Sequence, residues 1–205
     1  MPEITGVRER RGKARIWVEG EFWAEIDADV VTERGLREGV TLSSEELEEV
    51  RVAGERALAM GRALHFLGYR ARSHREVRDR LRRYGYGEET VGTVIRRLEE
   101  LGYLDDEEFA RTAAREKARR YGPRRVSAEL RRSGVDAELA QGVVEEEFAS
   151  RSEVQLARSA AARRYNRGGS GAEARRVYGF LMRRGYSAGV CADVAREYRG
   201  APEAD

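Results

Sequence analysis

Arg75-Glu76-Val77-Arg78-Asp79-Arg80-Leu81-Arg82-Arg83-Tyr84-Gly85-Tyr86 decides the fold, because its pattern occurs three times. Arg124-Arg125-Val126-Ser127-Ala128-Glu129-Leu130-Arg131-Arg132-Ser133-Gly134-Val135 follows 49 positions later, and Arg175-Arg176-Val177-Tyr178-Gly179-Phe180-Leu181-Met182-Arg183-Arg184-Gly185-Tyr186 another 51 positions on. Each copy sets Val and Leu four residues apart on one helical face, then a Gly, then an apolar residue. That is how a short amphipathic helix stops at a left-handed Gly and pins its next residue to the core. A second apolar-periodic run follows each copy: Val91, Val94, Ile95 and Leu98; then Leu139 and Val143; then Val190, Val194 and Tyr198. Each unit therefore reads as a long leading helix, a short middle helix, a tight Gly turn and a closing helix. Such a trio is expected to need its neighbours to bury its apolar stripe, as stacked repeats do.

Composition agrees with this reading. A chain of 205 residues, 40% hydrophobic and 37% charged, suits one large or two small helix-rich domains with wide solvated faces. No run approaches the roughly 18 apolar residues of a membrane helix, and no charged-then-apolar leader opens the chain, so neither a span nor a secretory signal is expected. The single Cys191 has no internal disulfide partner, which points to a reducing cytoplasm. Lys occurs only at 13 and 117, so 37 of the 39 basic residues are Arg. A coding bias accounts for the total; the arrangement is more informative.

The first fifty residues differ from the rest. Residues 4–10, 14–18 and 22–26 read as short strands separated by the hairpin signals Arg11-Gly12 and Glu19-Gly20. Ile16, Phe22, Ala24 and Ile26 share one face only if the second turn is odd in length, so a three-residue loop is expected, with Trp17 and Trp23 on the opposite face. That Trp pair reads first as cross-strand packing and second as a stacking platform. A short helix over 29–34 ends at Gly35, and Ser43 with Glu46 forms a capping box that starts a helix reading on through Ala53, Ala57, Met60, Leu64 and Leu67 to Gly68. Ser73 with Glu76 is a second capping box. Asp105, Asp106, Glu107 and Glu108 open the next leading helix and Arg119 and Arg120 close it, each complementing the helix dipole, before Gly122-Pro123 stops it and primes the following one. The stretch 166–171, Asn-Arg-Gly-Gly-Ser-Gly, is expected to be a loop on which the last repeat can pivot.

Charge is segregated. Residues 70–83 hold seven Arg against two acids, and residues 158–184 hold eight Arg against Glu173 alone, while acids collect at 99–108 and 136–147. At about 100° per residue, Arg75 lies opposite the Val77/Leu81 stripe, and its register equivalents are Arg124 and Arg175. Arg83, Arg132 and Arg183 form a second matched set, whereas Arg82 and Arg131 meet Met182 in the third copy. Outward arginines, one per unit, would lay a basic track; a merely solvated face is the plainer alternative. Catalytic patterns are absent. His65 and His74 lack metal-type partners, Cys191 has no His within its repeat, the acids at 105–108 are explained by capping, and Gly168-Gly169-Ser170-Gly171 lacks the Lys-Ser/Thr of a phosphate loop. No cofactor, metal or enzymatic activity is expected.

The string Arg72-Ser73-His74-Arg75-Glu76-Val77, followed by Leu81 and Gly85-Tyr86, then Leu98, Gly102-Tyr103-Leu104-Asp105-Asp106 with Phe109-Ala110, then Gly122, Glu129-Leu130 and Gly134-Val135, resembles the RecX family of regulators of the RecA recombinase. The resemblance covers about residues 50–199, and the third copy departs from it at its Gly-rich loop and Met182. It implies a mostly α fold of three tandem three-helix repeats in an elongated array, here preceded by a small three-strand α+β extension. The expected organisation is an extension at 1–50, trios at 51–104, 105–149 and 150–199, and a disordered tail at 200–205. It further implies a non-enzymatic, cytoplasmic, monomeric protein of DNA recombination, repair and the SOS response. Such a protein binds RecA and the RecA nucleoprotein filament and damps strand exchange and ATP hydrolysis. The contact candidates are Arg72, Arg75, Arg82, Arg83, Arg124, Arg125, Arg131, Arg132, Arg175, Arg176, Arg183 and Arg184. The competing reading is a stand-alone nucleic-acid binder, since three-helix units with basic middle helices also resemble helix-turn-helix readers; weak direct binding to single- or double-stranded DNA fits either.

Overall fold

The computed structural model describes residues 1–166 and 171–199; the expected pivot at 167–170 and the expected tail at 200–205 lie outside the described residues. The chain forms two compact units, one of residues 1–104 and one from residue 105 onward.

The first unit opens with an antiparallel sheet in the order β1 (Ile4–Arg10), β2 (Lys13–Val18), β3 (Glu21–Asp27). Both hairpins turn on two residues with positive φ, Arg11 and Gly12 at 53° and 73° and Glu19 and Gly20 at 51° and 82°, the backbone that matches strand twist. The three-residue loop expected from face alternation is therefore corrected: Val18 pairs directly with Glu21. Phase is restored one step further on, where Ile16 pairs with Ala24 and Trp17 with Phe22, leaving Trp23 as the extra residue of a β-bulge. Phe22 consequently leaves the core face, is 58% exposed and meets Trp17 edge-on at 6.0 Å, while Trp23 packs on the core. The expected Trp17–Trp23 face does not form.

Ile4, Ala14, Ile16 and Ile26 bury one side of the sheet against Val30 and Val31 of α1 (Ala28–Glu33), Leu36, and Val50 of α2 (Ser44–Leu67). The helix α2 runs without a break from the Ser43/Glu46 capping box through residue 50 and into the first trio, so one rod serves both. Its crossing of β3 depends on Gly54, where a Cβ would stand 2.3 Å from the Ile26 Cβ.

Three equivalent trios follow: α2 with α3 (His74–Arg83) and α4 (Glu88–Glu100); α5 (Asp106–Ala118), α6 (Pro123–Arg132) and α7 (Ala137–Phe148); α8 (Glu153–Ala162), α9 (Gly171–Arg184) and α10 (Ala188–Arg196). Each middle helix ends in the same backbone motif. Gly85, Gly134 and Gly185 take φ of 92°, 94° and 86°, and the next residue donates its N–H back to the helix, Tyr86 to Leu81 O, Val135 to Leu130 O and Tyr186 to Leu181 O, at 3.4, 3.2 and 3.3 Å. The paired Val and Leu, Val77/Leu81, Val126/Leu130 and Val177/Leu181, are fully buried, but in three separate clusters. The expectation that trios share an apolar seam is thus corrected: each closes around its own core.

What joins the second and third trios is main chain. The C-terminal carbonyls of α9 meet the N-terminal amides of α6: Gly122 N–H donates to Arg184 O at 2.8 Å and Arg124 N–H to Gly185 O at 3.1 Å. These are groups that neither helix can satisfy internally, and the contact sets the negative end of one dipole on the positive end of the other. Two guanidinium groups complete it, Arg125 Nη1 donating to Arg183 O at 2.9 Å and Arg184 Nη1 to Arg120 O at 2.7 Å. The approach is close enough that a Cβ on Gly122 would lie 2.7 Å from Gly185 O.

Candidate functional site

Arg75, Arg124 and Arg175 all stand exposed on α3, α6 and α9, the equivalent positions that their shared register predicts. Arg75 Nε is 3.7 Å from Asp79 and Arg175 Nε donates to Gly171 O at 3.5 Å, whereas Arg124, Arg131 and Arg176 make no ion pair among the described residues. Arg83 bonds the Asp79 carbonyl at 3.2 Å, Arg132 reaches Glu129 at 3.2 Å, and Arg183 is exposed. Arg82 is forked onto Glu88 at 2.6 and 2.8 Å, and that hydrogen bond holds the Glu88 carboxyl below its usual range. Both partners are exposed, so the pair is weak and yields readily to a competing phosphate.

Three of the named arginines serve packing. Arg72 lies 4.0 Å over the Phe66 ring, where burial pushes its guanidinium below the ordinary value, Arg70 and Arg80 add to the shift, and Glu76 opposes it. Arg125 and Arg184 belong to the joint between α6 and α9, Arg125 also covering Tyr121 at 4.2 Å.

A further gathering of positive charge lies elsewhere. In the second unit, Arg119 and Arg120 at the end of α5, Arg163 and Arg164 at the end of α8 and Arg184 on α9 line a cleft of about 520 Å³ that no acid lines. Its floor is Phe180 and Tyr186, both nearly buried, with Arg184 4.9 Å and Arg164 5.2 Å over the Phe180 ring. Sequence reasoning assigned only Arg184 of these five. The acid-poor run 158–184 was a signal for Arg163 and Arg164, but Arg119 and Arg120 read as ordinary dipole complements, and only the fold brings the two groups to one cleft.

The remaining reactive side chains have structural partners. His65 accepts or donates to Tyr69 Oη at 3.2 Å, His74 stands 3.9 Å from Glu99, and Asp105 caps α5 through the amides of Glu107 and Glu108. No group of three or more His, Cys, Asp or Glu among the described residues could hold a metal ion, and no described helix is long and apolar enough to cross a membrane. Cys191 is fully buried with its thiol 3.7 Å from Tyr186 O, and burial pushes the thiol pKa up. A thiol reagent at neutral pH should therefore leave Cys191 unmodified in native protein and label it fully in denaturant; rapid labelling of the native protein would contradict this burial.

Comparison with known proteins places these elements. The profile of the first three-helix domain of RecX matches residues 59–98 and that of the second matches 105–143. The regulatory protein RecX of Lactobacillus gasseri is 31% identical over 145 residues, 69% of this chain but 54% of the relative, so the match spans about half of that relative's length. The regulatory protein RecX of Listeria innocua is 27% identical over 202 residues, 96% of this chain and 75% of the relative. A crystal structure of regulatory protein RecX superposes with a TM-score of 0.66 over 96% of this chain and 100% of that one; at 21% identity this is a likeness of fold. The two profile matches fall on α2–α4 and α5–α7, the trios whose middle helices carry Arg75 and Arg124 and end at Gly85 and Gly134. On these matches together, the chain belongs to the RecX family.

Proposed function

We propose that this chain is a non-enzymatic regulator that acts in the cytoplasm by binding RecA and the RecA–DNA filament and lowering recombinase and ATPase activity. The observation that carries the reading is the threefold recurrence of one exposed basic position, Arg75, Arg124 and Arg175, on equivalent helices of equivalent trios. A partner that repeats along its own axis can engage several modest, equivalent contacts on one chain, and tethered contacts multiply in effect without any one being strong. Membership of the RecX family, whose relatives carry the name regulatory protein, supports the same reading.

RecA-dependent ATP hydrolysis on single-stranded DNA tests it. Stoichiometric addition of this protein should lower the rate, and an unchanged rate would remove the proposal. Replacing Arg75, Arg124 and Arg175 together by Glu should leave helicity intact and weaken filament association at least tenfold, since each exchange turns a favourable contact into a repulsive one. A triple variant with undiminished inhibition would take these side chains out of the interface.

A further inference from the structure

We infer that the arginine-lined cleft of the second unit is a binding site for the phosphodiester backbone of a nucleic-acid strand. The plain explanation of arginines at helix ends is that they offset the dipole, and the magnitudes show that it falls short. Three helices, α5, α8 and α9, end at the cleft, each presenting about half a negative charge, so five guanidinium groups leave roughly three and a half positive charges without compensation. Only Arg184 is committed to a carbonyl, that of Arg120. The side chains of Arg119, Arg120, Arg163 and Arg164 are exposed and meet no carboxylate among the described residues, and Glu153 of α8 is engaged by Ser187 at 2.6 and 3.1 Å.

Five like charges around one opening repel unless an anion enters, and planar forks suit phosphate oxygens in pairs. An acidic peptide fits less well. Peptide sites offer a sheet edge or apolar sockets, and this opening is built from helix ends, with its two aromatic rings already buried and Phe180 covered by two guanidinium groups. Those buried rings also leave no stacking surface for bases, so binding is to the backbone and indifferent to sequence.

Binding at the cleft is measured without RecA. A labelled single-stranded oligonucleotide is titrated with the wild-type chain and with an Arg119→Ala/Arg163→Ala/Arg164→Ala variant over a range of salt. Exposure of all three residues predicts a variant that folds, which thermal melting verifies. The slope of log affinity against log salt should become shallower by about 0.7 for each phosphate no longer neutralised, roughly two for the triple variant. Affinity at low salt should fall at least tenfold. A control variant with the same net charge, Arg10→Ala/Arg11→Ala/Arg37→Ala in the first unit, should keep the wild-type slope.

An unchanged slope in the cleft variant, or an equal fall in the control, overturns the site. So does a cleft variant that releases an oligo-glutamate peptide while retaining the oligonucleotide, which would make the cleft a peptide site. RecA-dependent ATP hydrolysis separates the two readings: inhibition that persists in the variant lacking three of the five cleft arginines leaves the regulator standing, and oligonucleotide binding without any inhibition leaves the cleft standing.

Discussion

Gly185→Ala is expected to destabilise the second unit by about 2–4 kcal/mol, far more than the same change at the equivalent Gly85. Both glycines sit at φ near 90°, 86° for Gly185 and 92° for Gly85, and alanine there costs about 1 kcal/mol on backbone grounds alone. Around Gly85 a Cβ meets nothing within 4 Å, so the backbone cost is the whole cost. At Gly185 the Cβ would lie 2.3 Å from the Arg125 Cβ and 2.4 Å from its amide nitrogen, and forcing such neighbours apart adds about 1–3 kcal/mol. Urea denaturation of the two single variants compares the costs directly. Equal losses at both positions would mean that α6 and α9 are not held this tightly together in solution. Gly122→Ala strains the same junction from the other side, through Gly185 O at 2.7 Å, so its cost and that of Gly185→Ala should be strongly non-additive.

The second large effect is apolar. Leu81 and Leu130 are fully buried at equivalent places in the first and second trios, and truncation of either to Ala should cost about 2–5 kcal/mol through the cavity it leaves. A loss below about 1 kcal/mol would show that the helices collapse to fill the space. Because Leu130 and Leu181 lie in different clusters, the double variant Leu130→Ala/Leu181→Ala should equal the sum of the singles to within about 0.5 kcal/mol. A continuous seam running through both trios would instead give a marked departure from additivity.

How much of this is written in the chain depends on the range of the interaction. The Gly-plus-apolar helix stops at Gly85, Gly134 and Gly185, and the capping boxes at Ser43/Glu46 and Ser73/Glu76, are set by residues within a turn of one another, so they are legible and the structure carries every one. The outward register of Arg75, Arg124 and Arg175 follows from helical periodicity in the same way. The sheet was legible as three strands but not in phase. A bulge is a relation between two strands, and nothing local distinguishes Trp23 as the residue without an opposite number. The cleft escapes for the same reason on a larger scale, since Arg119 and Arg163 are 44 positions apart and only the meeting of two trios makes them neighbours. Even the mistaken seam has this cause: periodicity says that a stripe is buried, not whose side chains bury it.

Two of the four hydrogen bonds that tie α9 to α6 use atoms that every amino acid possesses, and Arg125 and Arg184 supply the other two. Mutation can therefore rewrite most side chains in the last bundle without touching the main-chain bolts, provided Gly122 and Gly185 stay bare and Arg184 is kept. That bundle is free to change its vocabulary while keeping its address.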